Sequence, residues 1–256
     1  MTDSTAYHSH YPCNDGSGTP ADIAKSTTMT VGSAASAGLF ANTGWITTAT
    51  SENAGTPQTS GGVFITPQPD FDLVQGDSFL LMFWLKMSPP AGNQRLAGTV
   101  FRASTEAGFA FVNSGADGQV EIIFYSSVKG ETYSVQAVLS DKIMDNEYHH
   151  VAVAIDGTTK FCQFFIDGNP QRDADESGSL QKIVDLGGSL KNADDGYYGF
   201  GIAGDGGGAE KSFAGQFRDI HTLVFNNGGL PHNLTKIVNW AITNPYQTLT
   251  TEVVGV

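Results

Sequence analysis

The chain has 256 residues, with 26 Asp and Glu against 13 Lys and Arg and a formal net charge of −13. That balance argues against a phosphate backbone or an anionic bilayer as the main partner, because both need a basic surface, and no apolar run is long enough to span a membrane. A hydrophobic content of 40% supplies one continuous core, and 31 glycines suit a turn-rich all-β chain.

Residues 1–75 form a Ser/Thr/Gly-rich arm (TVGSAASAG, TATSENAGTPQTSGG) that includes short candidate strands such as Gly62-Val63-Phe64-Ile65, with Phe40, Trp45 and Phe64 as anchors. Its first residues, MTDSTAYHSHYPC, hold no basic segment followed by an apolar one, so no secretory leader is expected. Cys13 in the opening strand and Cys162 on an interior strand are expected as reduced, buried thiols rather than a bridge.

Residues 76–245 form the body. Alternating apolar residues predict strands at 78–87, 98–103, 107–113, 119–127, 131–139, 147–156, 160–167, 197–203 and 212–225, with turns at Ala91-Gly92-Asn93, Ala116-Asp117-Gly118 and Lys129-Gly130. Within EYHHVAVAIDGTTKFCQFFIDG, at 147–168, Val151, Val153 and Ile155 alternate with Ala152 and Ala154, and Asp156-Gly157 turns the chain into a strand ending at Asp167-Gly168. Leu234, Ile237, Val238, Ala241 and Ile242 recur at helical spacing between Pro231 and Pro245, which predicts one short helix over 231–244. The tail, 246–256, is β-prone and uncharged enough to add to a neighbouring sheet, so its removal should leave the body intact.

The hairpin at 147–168 resembles the core hairpin of laminin-G-like and pentraxin-like domains in the concanavalin A-like superfamily, with Tyr148 where that family usually has Trp. Ser78 to Met87 is similar to the family's F-x-x-x-x-W-x-K strand, and His10 to Thr19 to its opening segment. Phe213-Ala214-Gly215-Gln216-Phe217-Arg218-Asp219-Ile220 is similar to its closing strand, and Leu230 to Ile237 to the segment that ends many such domains. The resemblance implies an all-β, two-sheet antiparallel jelly-roll sandwich with one short C-terminal helix, and with Trp84 and Phe164 inside. It further implies Ca²⁺ held between the opening segment and the closing strand, with Asp22 and Asp219 as the matching ligands.

No catalytic pair is expected: the Glu-x-Asp-x-x-Glu run of jelly-roll glucanases is absent, Glu121 and Glu131 are isolated, and Arg218-Asp219-Ile220-His221 fits the closing strand better than a lyase site. His149 and His150 are adjacent on a strand, point to opposite faces and cannot share an ion. Asp173-Ala174-Asp175-Glu176-Ser177-Gly178 lacks the closing acid of a calcium loop, and the sequon Asn233-Leu234-Thr235 reads as accidental. Tyr197 and Tyr198 with Asn226 and Asn227 are the candidate carbohydrate contacts, aromatic faces beside amide hydrogen-bonders at strand ends.

Three functions stay open. The favoured one is a non-enzymatic phage virion protein, a capsid decoration or tail-attached module, with other virion proteins and further copies of itself as partners, because the arm and tail ask for neighbours. A lectin-like adhesion domain, placed outside the cell and binding a cell-surface glycan, is the alternative. A glycan-active hydrolase or lyase is the third.

Overall fold

The computed structural model describes residues 6–13, 24, 29–31, 46–48, 63–65, 77–87, 94–99, 108–114, 119–126, 131–138, 143–159, 161–173, 181–182, 198–200, 211–212, 215–226 and 228–254. Its strands fall into two sheets, and the chain is a jelly-roll sandwich with a C-terminal helix.

The first sheet contains β1 (Ala6–Tyr11), β3 (Ile46–Thr48), β5 (Ser78–Met87), β10 (Tyr148–Asp156), β11 (Phe161–Ile166), β12 (Asn169–Pro170), β14 (Gln181–Lys182) and β17 (Gly215–Phe225). Its main order is β1-β17-β5-β10-β11-β12, with β14 on β11 and β3 on β17. The second contains β2 (Met29–Val31), β4 (Val63–Ile65), β6 (Gln94–Thr99), β7 (Gly108–Ser114), β8 (Gln119–Ser126), β9 (Glu131–Val138), β13 (Arg172–Asp173), β15 (Tyr198–Phe200) and β16 (Lys211–Ser212). It runs β13-β9-β8-β7-β6-β15-β4-β2, and β16 lies parallel on β6. The helices are α1 (Leu234–Thr243) and α2 (Thr251–Val254), and among the described residues no helix is long and apolar enough to cross a membrane.

Alternation along β5 and β10 gives the first sheet two buried faces. Phe79, Leu81, Phe83, Leu85, Val151, Val153 and Ile155 are buried on the face toward the second sheet. On the other face Leu80, Met82, Ala152, Ala154, Phe165, Leu223 and Phe225 pack with Ile237, Val238 and Ala241 of α1. Ala152 and Ala154 are small enough to let the helix approach the sheet closely. At the β11 to β12 turn Asp167 and Gly168 have φ of +50° and +81°, the left-handed pair of a two-residue hairpin, and a Cβ at Gly168 would collide with Asn239 Oδ1 on α1.

Several expectations need correction. β1 ends before Pro12, which has no N–H to give the sheet, and Cys13 at φ +60° turns the chain away, so Cys13 is not in the opening strand. It is nevertheless a buried thiol outside any disulfide, as is Cys162, whose thiol pKa burial pushes up. The strand expected at 98–103 is β6, starting at Gln94, because main-chain pairing of Gln94 and Arg95 with Asn113 and Val112 outranks their polarity. The strand expected at 212–225 is split: Lys211–Ser212 joins the second sheet and Gly215–Phe225 the first.

The tail departs most. Instead of a free β-strand it folds back over its own sheet, forms α2, and buries Leu249 and Val254 in the cluster beneath α1. Its apolar side chains are used within the domain. Asn233 at the N-cap of α1 makes no side-chain cap bond and instead donates from Nδ2 to Val253 O at 2.8 Å, so the amide of the sequon is engaged in holding the tail.

Candidate functional site

The α1-side face of the first sheet changes character along the strands. Beneath the helix it is apolar, and toward the other end two cross-strand rows become aromatic and polar. Pairing sets the rows: Arg218 lies beside Trp84 and Trp84 beside His150, while Gln216 lies beside Lys86 and Lys86 beside Tyr148.

Tyr148 is 39% exposed, the one exposed large hydrophobic among the described residues. Its hydroxyl donates to Gln216 Oε1 at 2.8 Å, and Lys86 Nζ sits 4.8 Å from its ring centroid. In the next row the Arg218 guanidinium lies 5.8 Å from the Trp84 ring and 5.0 Å from the Tyr246 ring, and donates to the Tyr246 hydroxyl. Trp84 is half-buried, contrary to its expected place inside, because at this point the face extends past α1; Phe164 is buried as expected. Each cation–π contact contributes about 0.5–2 kcal/mol, enough to hold the two cations over the rings.

His150 meets Trp84 edge-on at 5.4 Å and is buried, with no partner for Nδ1. Burial, and secondarily the nearby His221, lowers its pKa to about 3. His149 lies on the opposite face, between Asp167 Oδ2 at 2.8 Å and Asp145 Oδ1 at 3.1 Å. Burial opposes its protonation, but the two carboxylates outweigh burial and its pKa is raised. The adjacent histidines thus serve two separate environments.

One row deeper is a buried cluster. A bulge between Arg218 and His221, with Asp219 at φ +53°, inserts an extra residue and returns His221 to the same face as Arg218. His10 lies directly opposite His221, and their rings stack with centroids 3.8 Å apart; His8 stacks on His221 at 5.6 Å. His10 Nε2 donates to Asp219 Oδ1 at 2.7 Å, His221 Nε2 lies 3.5 Å from the same oxygen, and the N–H of Tyr246 donates to it at 3.0 Å. Burial alone would raise the Asp219 pKa, but the imidazoles beside it hold the carboxyl well below the usual range.

Of the expected site residues, Asp219 lies in this cluster and Asp22 lies outside the described residues. Among the described residues the groups around Asp219 Oδ1 are imidazole nitrogens and an amide N–H, whereas calcium takes six to eight oxygens. Tyr198 is in β15 of the second sheet and Asn226 follows β17 of the first, while Tyr197 and Asn227 lie outside the described residues. Sequence reasoning missed the joining of His8, His10 and His221. The signal available was the alternate spacing of His8 and His10, but their partner was set by a bulge.

Residues 57–222 match the family model Laminin_G_3, described as the concanavalin A-like lectin/glucanases superfamily. The chain belongs to this superfamily. No curated protein matches its sequence. Among solved structures the domain is similar to the botulinum neurotoxin serotype D binding domain, at 15% identity and a TM-score of 0.59, over 92% of this chain and 50% of that one. It is also similar to the binding domain of Paraclostridial mosquitocidal protein 1, at 11% identity and 0.58, over 93% and 52%. A Trypanosoma rangeli sialidase matches at 13% identity and 0.55, over 94% of this chain and 33% of that one. The chain spans about half the length of the toxin domains it matches or less of the sialidase, and these likenesses concern the fold.

Proposed function

We propose that the chain is a non-catalytic binding module that takes a carboxylated glycan on the face formed by Tyr148, Lys86, Gln216, Trp84, Arg218 and Tyr246. The observation that carries this reading is the exposed Tyr148 ring in one row with Lys86 and Gln216. An aromatic platform beside hydrogen-bonding groups is what a sugar ring needs, with one apolar face to stack and hydroxyls to satisfy. Superfamily membership supports the reading, and the two toxin relatives are by name binding domains.

Two cations on an acidic chain favour a carboxylate on the ligand. The overall charge of −13 opposes approach, but charges more than about 8 Å away are largely screened at physiological salt, so Lys86 and Arg218 govern the contact. The test is a panel of neutral, sialylated and uronate-containing glycans probed with wild type, Tyr148→Ala and Lys86→Ala. Binding confined to acidic glycans and lost in Tyr148→Ala supports the reading; binding that survives both substitutions refutes it.

A place on a phage particle would be compatible with such a surface. Removal of residues 1–5, which precede β1 and so spare its pairing with β17, with retained glycan binding and lost incorporation, would separate location from recognition.

A further inference from the structure

The histidine stack lies beneath the segment carrying Tyr246 and Thr248, one row deeper than the proposed glycan face. His10, Asp219 and His221 each offer one ligand atom, all within 4.8 Å of one another, and all three side chains are buried.

Two features set the cluster apart from an ordinary buried hydrogen bond. Each imidazole is already partnered on its outward nitrogen: His10 Nδ1 lies 3.3 Å from Thr248 Oγ1, and His221 Nδ1 lies 3.3 Å from His8 Nε2. Metal-ligating histidines are oriented by a second partner of this kind. Both Nε2 atoms therefore face one carboxylate oxygen, at 2.7 and 3.5 Å. One such bond would satisfy the carboxylate, and the second imidazole arrives only through the bulge at left-handed Asp219.

We propose that His10, Asp219 and His221 bind a divalent ion of the zinc type, with water completing a tetrahedral set. Two imidazoles and a carboxylate match the ligand preferences of such an ion. Atoms about 2.0 Å from a tetrahedral centre are about 3.3 Å apart. The 2.7 Å and 3.5 Å separations found here lie on either side of that value, and the two stacked rings, 17° from parallel, must turn about their side-chain torsions to bring both in-plane Nε2 lone pairs onto one ion. In the ion-free chain a proton on His10 Nε2 makes the bond to Asp219. On binding, the ring must carry its single proton on Nδ1, facing Thr248 Oγ1, so a neutral ring changes tautomer and a doubly protonated one releases its Nε2 proton to solvent, and the ion takes the place between nitrogen and oxygen. The ion would tie β1 to β17 and, through Thr248 and Tyr246, to the C-terminal segment.

The experiment strips the full chain with chelator, then adds zinc, cobalt(II) or calcium. Zinc should raise the melting temperature, cobalt(II) should give the intense visible bands of tetrahedral coordination, and calcium should do neither. His221→Gln should weaken zinc binding more than tenfold and abolish the cobalt bands, whereas His232→Gln, an exposed histidine elsewhere, should bind as wild type. If His221→Gln does not fold, Thr248→Val, which removes only the outer partner of His10, should weaken binding about tenfold with an unchanged circular dichroism spectrum. Folded wild type without cobalt bands or a zinc shift would overturn the proposal, as would undiminished zinc binding by a folded His221→Gln or, in its place, Thr248→Val.

Discussion

Replacing Leu249 by alanine tests whether the C-terminal segment is part of the fold. Leu249 is buried with Leu80, Met82, Phe165 and Val254 in the cluster beneath α1. The substitution removes three carbons, worth about 0.8 kcal/mol each, or about 2.4 kcal/mol of transfer free energy. A residual cavity raises the expected loss into the range of about 2–5 kcal/mol seen for buried leucines. At about 2–4 °C per kcal/mol for a domain of this size, the melting temperature should fall by roughly 5–15 °C. Urea unfolding of wild type and Leu249→Ala at equal protein concentration gives the difference directly. A loss under about 0.5 kcal/mol, as for an exposed side chain, would refute the docked tail and restore the free-strand expectation.

Acid should destabilise the fold through His150. Its pKa is about 3 when folded against the ordinary 6.5, so the folded state keeps it neutral. The contribution is fully present above pH 6.5 and is lost as pH falls toward 3, by roughly 1.4 kcal/mol per pH unit. His150→Leu should unfold with a shallower acid slope between pH 6 and 4, by about one proton, and equal slopes would contradict the assignment. Gly168→Ala should cost about 1–2 kcal/mol for the left-handed backbone alone, with a further loss from displacing Asn239 that Asn239→Ala recovers in the double variant. Chemical denaturation of the single and double variants checks this.

Local patterns were legible in the sequence where one residue's neighbours decide its structure. The Val/Ile alternation of β10, the Asp-Gly turns and the spacing of Ile237, Val238 and Ala241 each specify a period or a dihedral within a few positions. The resemblance of the hairpin and closing strand to the family implied the two-sheet antiparallel sandwich as well, though not the order of its strands. The site was less legible, because it is assembled by pairing between the two ends of the chain. His10 meets His221 across more than two hundred residues, and only after the bulge at Asp219 has shifted the register. The tail's β-propensity was a true local preference overruled by burial, since Leu249 and Val254 gain more from the cluster under α1 than from an exposed sheet edge.

The chain has three tryptophans, Trp45, Trp84 and Trp240, and their indole N–H resonances are separate reporters in a nitrogen–proton correlation spectrum. Titration of labelled protein with a carboxylated glycan identified on the panel measures the proposed binding face directly. The account predicts a saturable shift of the Trp84 indole signal, absent in Tyr148→Ala, while the Trp240 signal on α1 stays in place. A Trp84 signal that does not move while another tryptophan reports saturable binding would contradict it.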